Sequence, residues 1–151
     1  MLHVALLEPE IPPNTGNVAR LCVATGATLH LIGRLGFHLD DRSLRRAGLD
    51  YWPAVTLRRH DTLDQFRAAL PEARWLLFSA HASERYATPR YRDGDVLLFG
   101  SESRGLPARL LEENRASCFT VPMLTDRVRS LNLATAVGIV LYEALRQLHS
   151  W

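Results

Sequence analysis

The feature that most constrains this chain is a recurring unit. A short apolar run ends in a polar loop bearing glycine or proline, and the loop leads into a helical stretch. Runs at 2–7, 28–32, 75–79, 96–99 and 118–121 are too short for helices and read as largely buried strands, with a further strand near Val55 and Thr56. Pro9, Pro12 and Pro13 exclude regular structure after the first run, so the first helix is expected from Asn14 or Thr15, both good caps, to Thr25. Val18, Leu21, Cys22 and Thr25 form its apolar face. Helices are also predicted over 40–47, closed by Gly48, over 61–70, stopped by Pro71, and over 107–113. The closing helix spans 130–149, with Leu133, Val137, Val140, Leu141, Ala144 and Leu148 on one side. Strands alternating with helices predict an α/β fold, a mostly parallel sheet flanked by helices, with ligands bound in the loops after strand ends. No linker or repeat divides the 151 residues, and one domain over 1–151 is expected.

Composition removes whole classes of chemistry. All 18 basic residues are arginine. Without lysine there is no Walker-A phosphate loop, no Schiff base and no Ser–Lys nucleophile pair. The six histidines show no metal-ligand spacing, so no metal site is expected. The chain also lacks G-x-S-x-G and G-x-G-x-x-G, which disfavours a hydrolase elbow and a dinucleotide loop. A net charge of +2 permits an RNA partner without demanding one. No run is long enough to span a membrane, the N-terminus lacks a signal-peptide layout, and Cys22 and Cys118 are far apart. A cytoplasmic protein is expected.

Three loops combine unusual residues. The first, Asn14-Thr15-Gly16-Asn17-Val18-Ala19-Arg20, places amides and a glycine at a helix start, with Asn17 and Arg20 one turn apart on one face. In the second, Phe99-Gly100-Ser101-Glu102-Ser103-Arg104-Gly105-Leu106, two glycines bracket a polar stretch. There Glu102 can accept hydrogen bonds and Arg104 can grip phosphate. The third joins Val121-Pro122-Met123 to Arg127, Arg129 and Ser130-Leu131-Asn132, with Ser130 as N-cap of the last helix and Asn132 in its first turn. Helix capping and solvated charge account equally well for each loop taken singly.

Taken in order, N-T-G-N-x-x-R, F-G-S-E-S-R-G-L, and V-P-M with R-S-L-N-L resemble the three motifs of the SPOUT class of RNA methyltransferases. Glu8-Pro9-Glu10-Ile11-Pro12-Pro13, the stretch Leu44-Arg45-Arg46-Ala47-Gly48-Leu49-Asp50-Tyr51 and Asp93-Gly94-Asp95 resemble its TrmL subfamily. The loop Leu124-Thr125-Asp126-Arg127-Val128-Arg129 is one residue longer than the subfamily pattern. The resemblance implies a SPOUT fold with a C-terminal deep trefoil knot. It also implies S-adenosylmethionine as cofactor, contacted near Phe78, Gly100, Val121, Ser130 and Leu131, largely through backbone groups. The implied reaction is 2'-O-methylation of the wobble nucleotide of tRNA by a homodimer, with Arg20 approaching the other subunit's cofactor.

Displacement at a sulfonium by a ribose hydroxyl depends on positioning and on removal of the hydroxyl proton. An arginine stays protonated, so Arg20 reads better as a clamp on the target phosphate than as the base proposed in the family. Asn17, Glu102, Ser130 and Asn132 are then candidates to order the ribose, the cofactor or a proton-accepting water. Arg45 and Arg46, with Arg104, Arg127 and Arg129, are candidates for tRNA contact, and Tyr142 for the dimer interface or the substrate. Two rivals stand beside this reading: a SPOUT enzyme acting on rRNA, and a non-catalytic RNA- or nucleotide-binding α/β module.

Overall fold

The computed structural model describes residues 1–40, 42–47 and 51–151, with residues 43, 45 and 47 described by backbone alone. Seven strands form one sheet: β1 (His3–Leu7), β2 (Thr28–Ile32), β3 (Leu57–His60), β4 (Trp75–Phe78), β5 (Glu84–Arg85), β6 (Val96–Phe99) and β7 (Cys118–Thr120). Their order is β3-β2-β1-β6-β4-β7-β5, and each pairing is parallel. The helices are α1 (Pro12–Thr25), α2 (Arg42–Ala47), α3 (Leu63–Ala69), α4 (Ala108–Glu113) and α5 (Leu133–His149). Short 3-10 turns cover Trp52–Ala54 and Arg115–Ser117. No helix among the described residues is long and apolar enough to cross a membrane.

Strand alternation divides the core into two layers. Val4, Leu6, Leu29, Leu31, Leu97 and Phe99 pack with Val18, Ala19 and Cys22 of α1 and Val137, Val140 and Leu141 of α5. Ala5, Leu7, Ile32, Leu77 and Leu98 face the other way, onto Phe66 of α3 and Leu110 and Leu111 of α4. That second face carries a ladder of imidazoles across three neighbouring strands. His3 Nδ1 lies 2.9 Å from His30 Nε2, and His30 Nδ1 lies 3.0 Å from His60 Nε2.

Several boundaries differ from the expectations. Helix α1 begins at Pro12 rather than Asn14, because its first two positions have no partner for an N–H and prolines lose nothing there. Ala19 replaces Leu21 and Thr25 among its fully buried residues. Helix α5 begins at Leu133, and Leu145 rather than Leu148 completes its inner face. The strand expected at Val55 and Thr56 lies at Leu57–His60, and β5 is an element that apolar periodicity does not mark. Gly48 lies outside the described residues.

The right half of the sheet positions the site. β7 pairs with β4 on one side and β5 on the other, although β4 and β5 are joined by residues 79–83 alone. The segment after β5 is lashed to α5: Gln147 Oε1 accepts from Tyr91 N at 3.0 Å and Gln147 Nε2 donates to the Pro89 carbonyl at 3.2 Å. At the opposite strand ends, Arg74 clasps the buried Asp95 carboxylate through Nε and Nη2 at 2.9 and 2.6 Å.

Candidate active site

The loops that follow β4, β6 and β7 open on one cleft of about 900 Å³, within the size range of ligand pockets, roughly 300–1,000 Å³. Phe78, Gly100, Val121, Ser130 and Leu131 all line it, as do Glu102, Arg104 and Arg129. Phe78 and Phe99, stacked with ring centroids 5.0 Å apart, give it an apolar end. A shallower depression of about 450 Å³ lies between α1 and the start of α5, lined by Asn17, Arg20, Leu21, Ala24, Asn132, Ala134 and Thr135. Asn132 borders both. Among the described residues no histidine, cysteine or acidic cluster is arranged to hold a metal.

The loop after β6 is shaped by backbone contact. A Cβ on Gly100 would lie 2.0 Å from the Gly105 carbonyl carbon and 2.2 Å from Leu106 N, so no side chain fits there. Gly105 takes φ +67° and its N–H bonds to the Ser101 carbonyl at 2.8 Å, which closes the turn. Ser101 Oγ accepts from Arg104 N at 3.2 Å. The result is a rigid cradle that brings main-chain polar groups close to whatever fills the cleft.

The Glu102 carboxylate is held by donors from the start of α1. Its Oε1 accepts from Glu10 N at 2.8 Å, and its Oε2 accepts from Ile11 N at 2.8 Å and Asn14 Nδ2 at 3.2 Å. Glu10 answers: its Oε1 accepts from Ser103 N and Ser103 Oγ at 2.9 and 2.6 Å, bonds that hold its carboxyl below the usual range. Asn14 and Thr15 are therefore not caps. They lie buried inside the first turns of α1, whose N-cap position is Ile11 with no side-chain hydrogen bond. Ser130 is not a cap either. Asn132 takes that place on α5, its side-chain oxygen accepting from Thr135 N at 3.2 Å. Its Nδ2 donates to Asn14 Oδ1 at 2.9 Å. The donor inventory of one carboxylate and two amides thus links all three loops.

The remaining positions spread outward. Asn17 and Arg20 are exposed on α1, with the Arg20 guanidinium 5.3 Å from the Tyr51 ring centroid. Arg46, Arg104, Arg127 and Arg129 are exposed, whereas the Arg45 side chain lies outside the described residues. Tyr142, 44 % exposed, borders neither cavity and faces Trp151 across 6.5 Å. Both cysteines are free and buried, and burial pushes the Cys22 thiol up to about 12, far from a reactive thiolate.

Known proteins resemble this chain in sequence and fold. The tRNA (cytidine(34)-2'-O)-methyltransferase of Burkholderia cenocepacia is 51 % identical over 153 residues, covering 97 % of this chain and 96 % of that protein. A solved structure concerned with the 2-OH methylation of C/U34 on tRNA superposes with a TM-score of 0.94 at 53 % identity, covering 100 % of this chain and 98 % of that one. An AdoMet-bound rRNA methyltransferase from Sinorhizobium meliloti has a TM-score of 0.86 at 30 % identity, covering 97 % of this chain and 56 % of that one. The pattern of the SpoU rRNA Methylase family matches residues 1–142. With three loops meeting at one cleft and likeness along nearly its whole length, the chain belongs to the SpoU methylase family.

Proposed function

We propose that this protein is a tRNA methyltransferase that methylates the ribose 2'-hydroxyl of nucleotide 34, cytidine or uridine, with S-adenosylmethionine as donor. The observation that carries the reading is that the Phe78, Gly100, Val121 and Ser130 loops line one cleft. Likeness along nearly the whole chain to proteins named for nucleotide 34 of tRNA favours tRNA over rRNA. The cleft suits the donor: the bare Gly100 lets its loop fold back on the Gly105–Leu106 backbone, and the paired Phe78 and Phe99 rings offer an apolar end. When bound, S-adenosylmethionine supplies a methyl group on a sulfonium.

In this reading the whole chain, residues 1–151, acts as one domain. Phe78, Gly100, Val121, Ser130 and Leu131 hold the cofactor. Arg20, with Asn17 beside it, clamps the phosphate next to the target ribose and offsets negative charge developing on its oxygen. Exposed Arg46, Arg104, Arg127 and Arg129 bind neighbouring tRNA phosphates. The position of β7 between β4 and β5 supports a chain threaded as a trefoil knot. The unit is a homodimer that sets the partner subunit's Arg20 over each cofactor, and exposed Tyr142 and Leu148 on α5 support such a buried face. Its compartment is the cytoplasm, where its free cysteines stay reduced.

The test uses labelled cofactor with separated tRNA and rRNA lacking the modification, followed by mass spectrometric mapping of the methylated nucleotide. Label at tRNA position 34 is expected; label in rRNA, or in neither pool without cofactor binding, overturns the reading. Arg20→Ala is expected to abolish turnover and spare cofactor affinity. Equal loss of both would place Arg20 in the cofactor pocket.

A further inference from the structure

We propose that Glu102 is a positioning residue that sets the orientation of the Asn132 amide through Asn14, so that Asn132 presents an N–H at the seam between cofactor and substrate. The proposal rests on the methyltransferase reading above.

The logic follows from what each group can donate or accept. An ionised carboxylate only accepts. Glu102 Oε2 therefore fixes Asn14 with its Nδ2 turned toward it, at 3.2 Å. That spends the donor side of Asn14 and leaves its Oδ1 to accept from Asn132 Nδ2 at 2.9 Å. Asn132 is thereby locked with its oxygen toward the first turn of α5, accepting from Thr135 N at 3.2 Å. An amide nitrogen carries two hydrogens, and Asn14 takes one. The second is open to solvent, on a side chain that borders both the cofactor cleft and the Arg20 depression. A ribose oxygen of the target nucleotide is the acceptor that fits there.

Thr135 N–H needs the Asn132 oxygen and Glu102 Oε2 needs an N–H from Asn14, so the two ends of the relay impose the same orientation. Glu102 is itself anchored on two backbone N–H groups, those of Glu10 and Ile11, both at 2.8 Å. The same bonds fix the entry to α1, whose cap position offers no side chain of its own.

Glu102→Gln tests this, because its single amide oxygen cannot serve Glu10 N and the Ile11 N–Asn14 pair together. Where its NH2 turns to Asn14, the relay reverses and an amide NH2 is set against Thr135 N. The expected result is a fall in kcat of about tenfold or more, with KM for S-adenosylmethionine changed less than about twofold. Asn14→Asp sets two carboxylates against each other and is expected to lose a similar factor. The double variant Glu102→Gln with Asn14→Asp restores the side-chain relay, since the carboxylate introduced at position 14 accepts from both neighbours, while Ile11 N gives up its acceptor. Its kcat is expected to return to within about threefold of the parent.

A readout independent of turnover is the side-chain amide resonance of Asn132. It is expected to shift in Glu102→Gln and return in the double variant. Single losses that multiply in the double variant, an Asn132 resonance that ignores Glu102→Gln, or losses confined to cofactor KM would each overturn the proposal. If Glu102→Gln does not fold, recovery of Asn14→Asp by the second substitution carries the test. If the parent does not methylate tRNA, the substrate reading fails, and the resonance experiment still decides the orientation of Asn132.

Discussion

The imidazole ladder makes the stability of this protein acid-sensitive well above the pH at which carboxylates titrate. His30 is 3 % exposed, and burial, then the neighbouring His3, His60 and Arg58, lowers it from 6.5 to about 3. In the unfolded chain it titrates near its ordinary value. Between those limits the unfolded state binds a proton that the native state refuses, so stability falls as pH falls below about 6.5. From pH 7.5 to pH 5.0, His30 alone accounts for about 2 kcal/mol. His3 and His60 are lowered too, each chiefly by burial, and add with the same sign. The hydrogen bonds sharpen the effect. Two bonds joining three rings leave room for one extra proton on an outer nitrogen, and a second must break a bond. The assay is urea unfolding of the parent and His30→Phe at pH 7.5 and 5.0, at fixed protein concentration. The variant is expected to lose about 2 kcal/mol less than the parent across that interval. Equal losses in both proteins would refute the assignment of the acid sensitivity to this ladder.

Two further outcomes follow from contacts already described. Gly100→Ala drives a methyl into the Gly105–Leu106 backbone, so the cradle must open. Cofactor affinity measured by titration calorimetry is expected to fall at least about tenfold, and an unchanged Kd would remove that loop from the cofactor site. Arg74→Ala strips Asp95, 2 % exposed, of its charged partner and leaves only the Arg92 N–H on that carboxylate. A loss of about 3 kcal/mol in urea unfolding is expected, near the low end for broken buried pairs because Arg74 itself reaches solvent. A loss under about 1 kcal/mol would mean that water replaces the arginine without penalty.

Local pattern carried the frame and failed wherever a distant partner decides. The apolar runs at β1, β2, β4, β6 and β7 are visible because strands covered on both faces leave little polar surface. The loops after β4, β6 and β7 follow from that frame, since a parallel sheet gathers its strand ends on one side. Strand β5 is two polar residues that extend the sheet only because β7 lies beside them. Asn14 looks like a cap by every local criterion, yet its amide is spent on a carboxylate 88 residues away. Nothing near Glu102 in sequence reveals that two backbone N–H groups bond to its carboxylate. The histidine ladder joins positions 27 and 30 residues apart, and no metal-ligand spacing points to it.

The seating of β7 has a consequence for how the molecule comes into being. Both of its neighbours, β4 and β5, leave the ribosome before it, and the strip between them stays vacant until residues 118–120 arrive. One wall of the cleft is therefore among the last parts to be laid down, and a nascent polypeptide lacking residues 101–151 has most of its sheet but an unfinished cleft. Completion of the cleft depends on a long-range pairing, and its Thr120–Val121 wall is in place only once the last segment has found its slot.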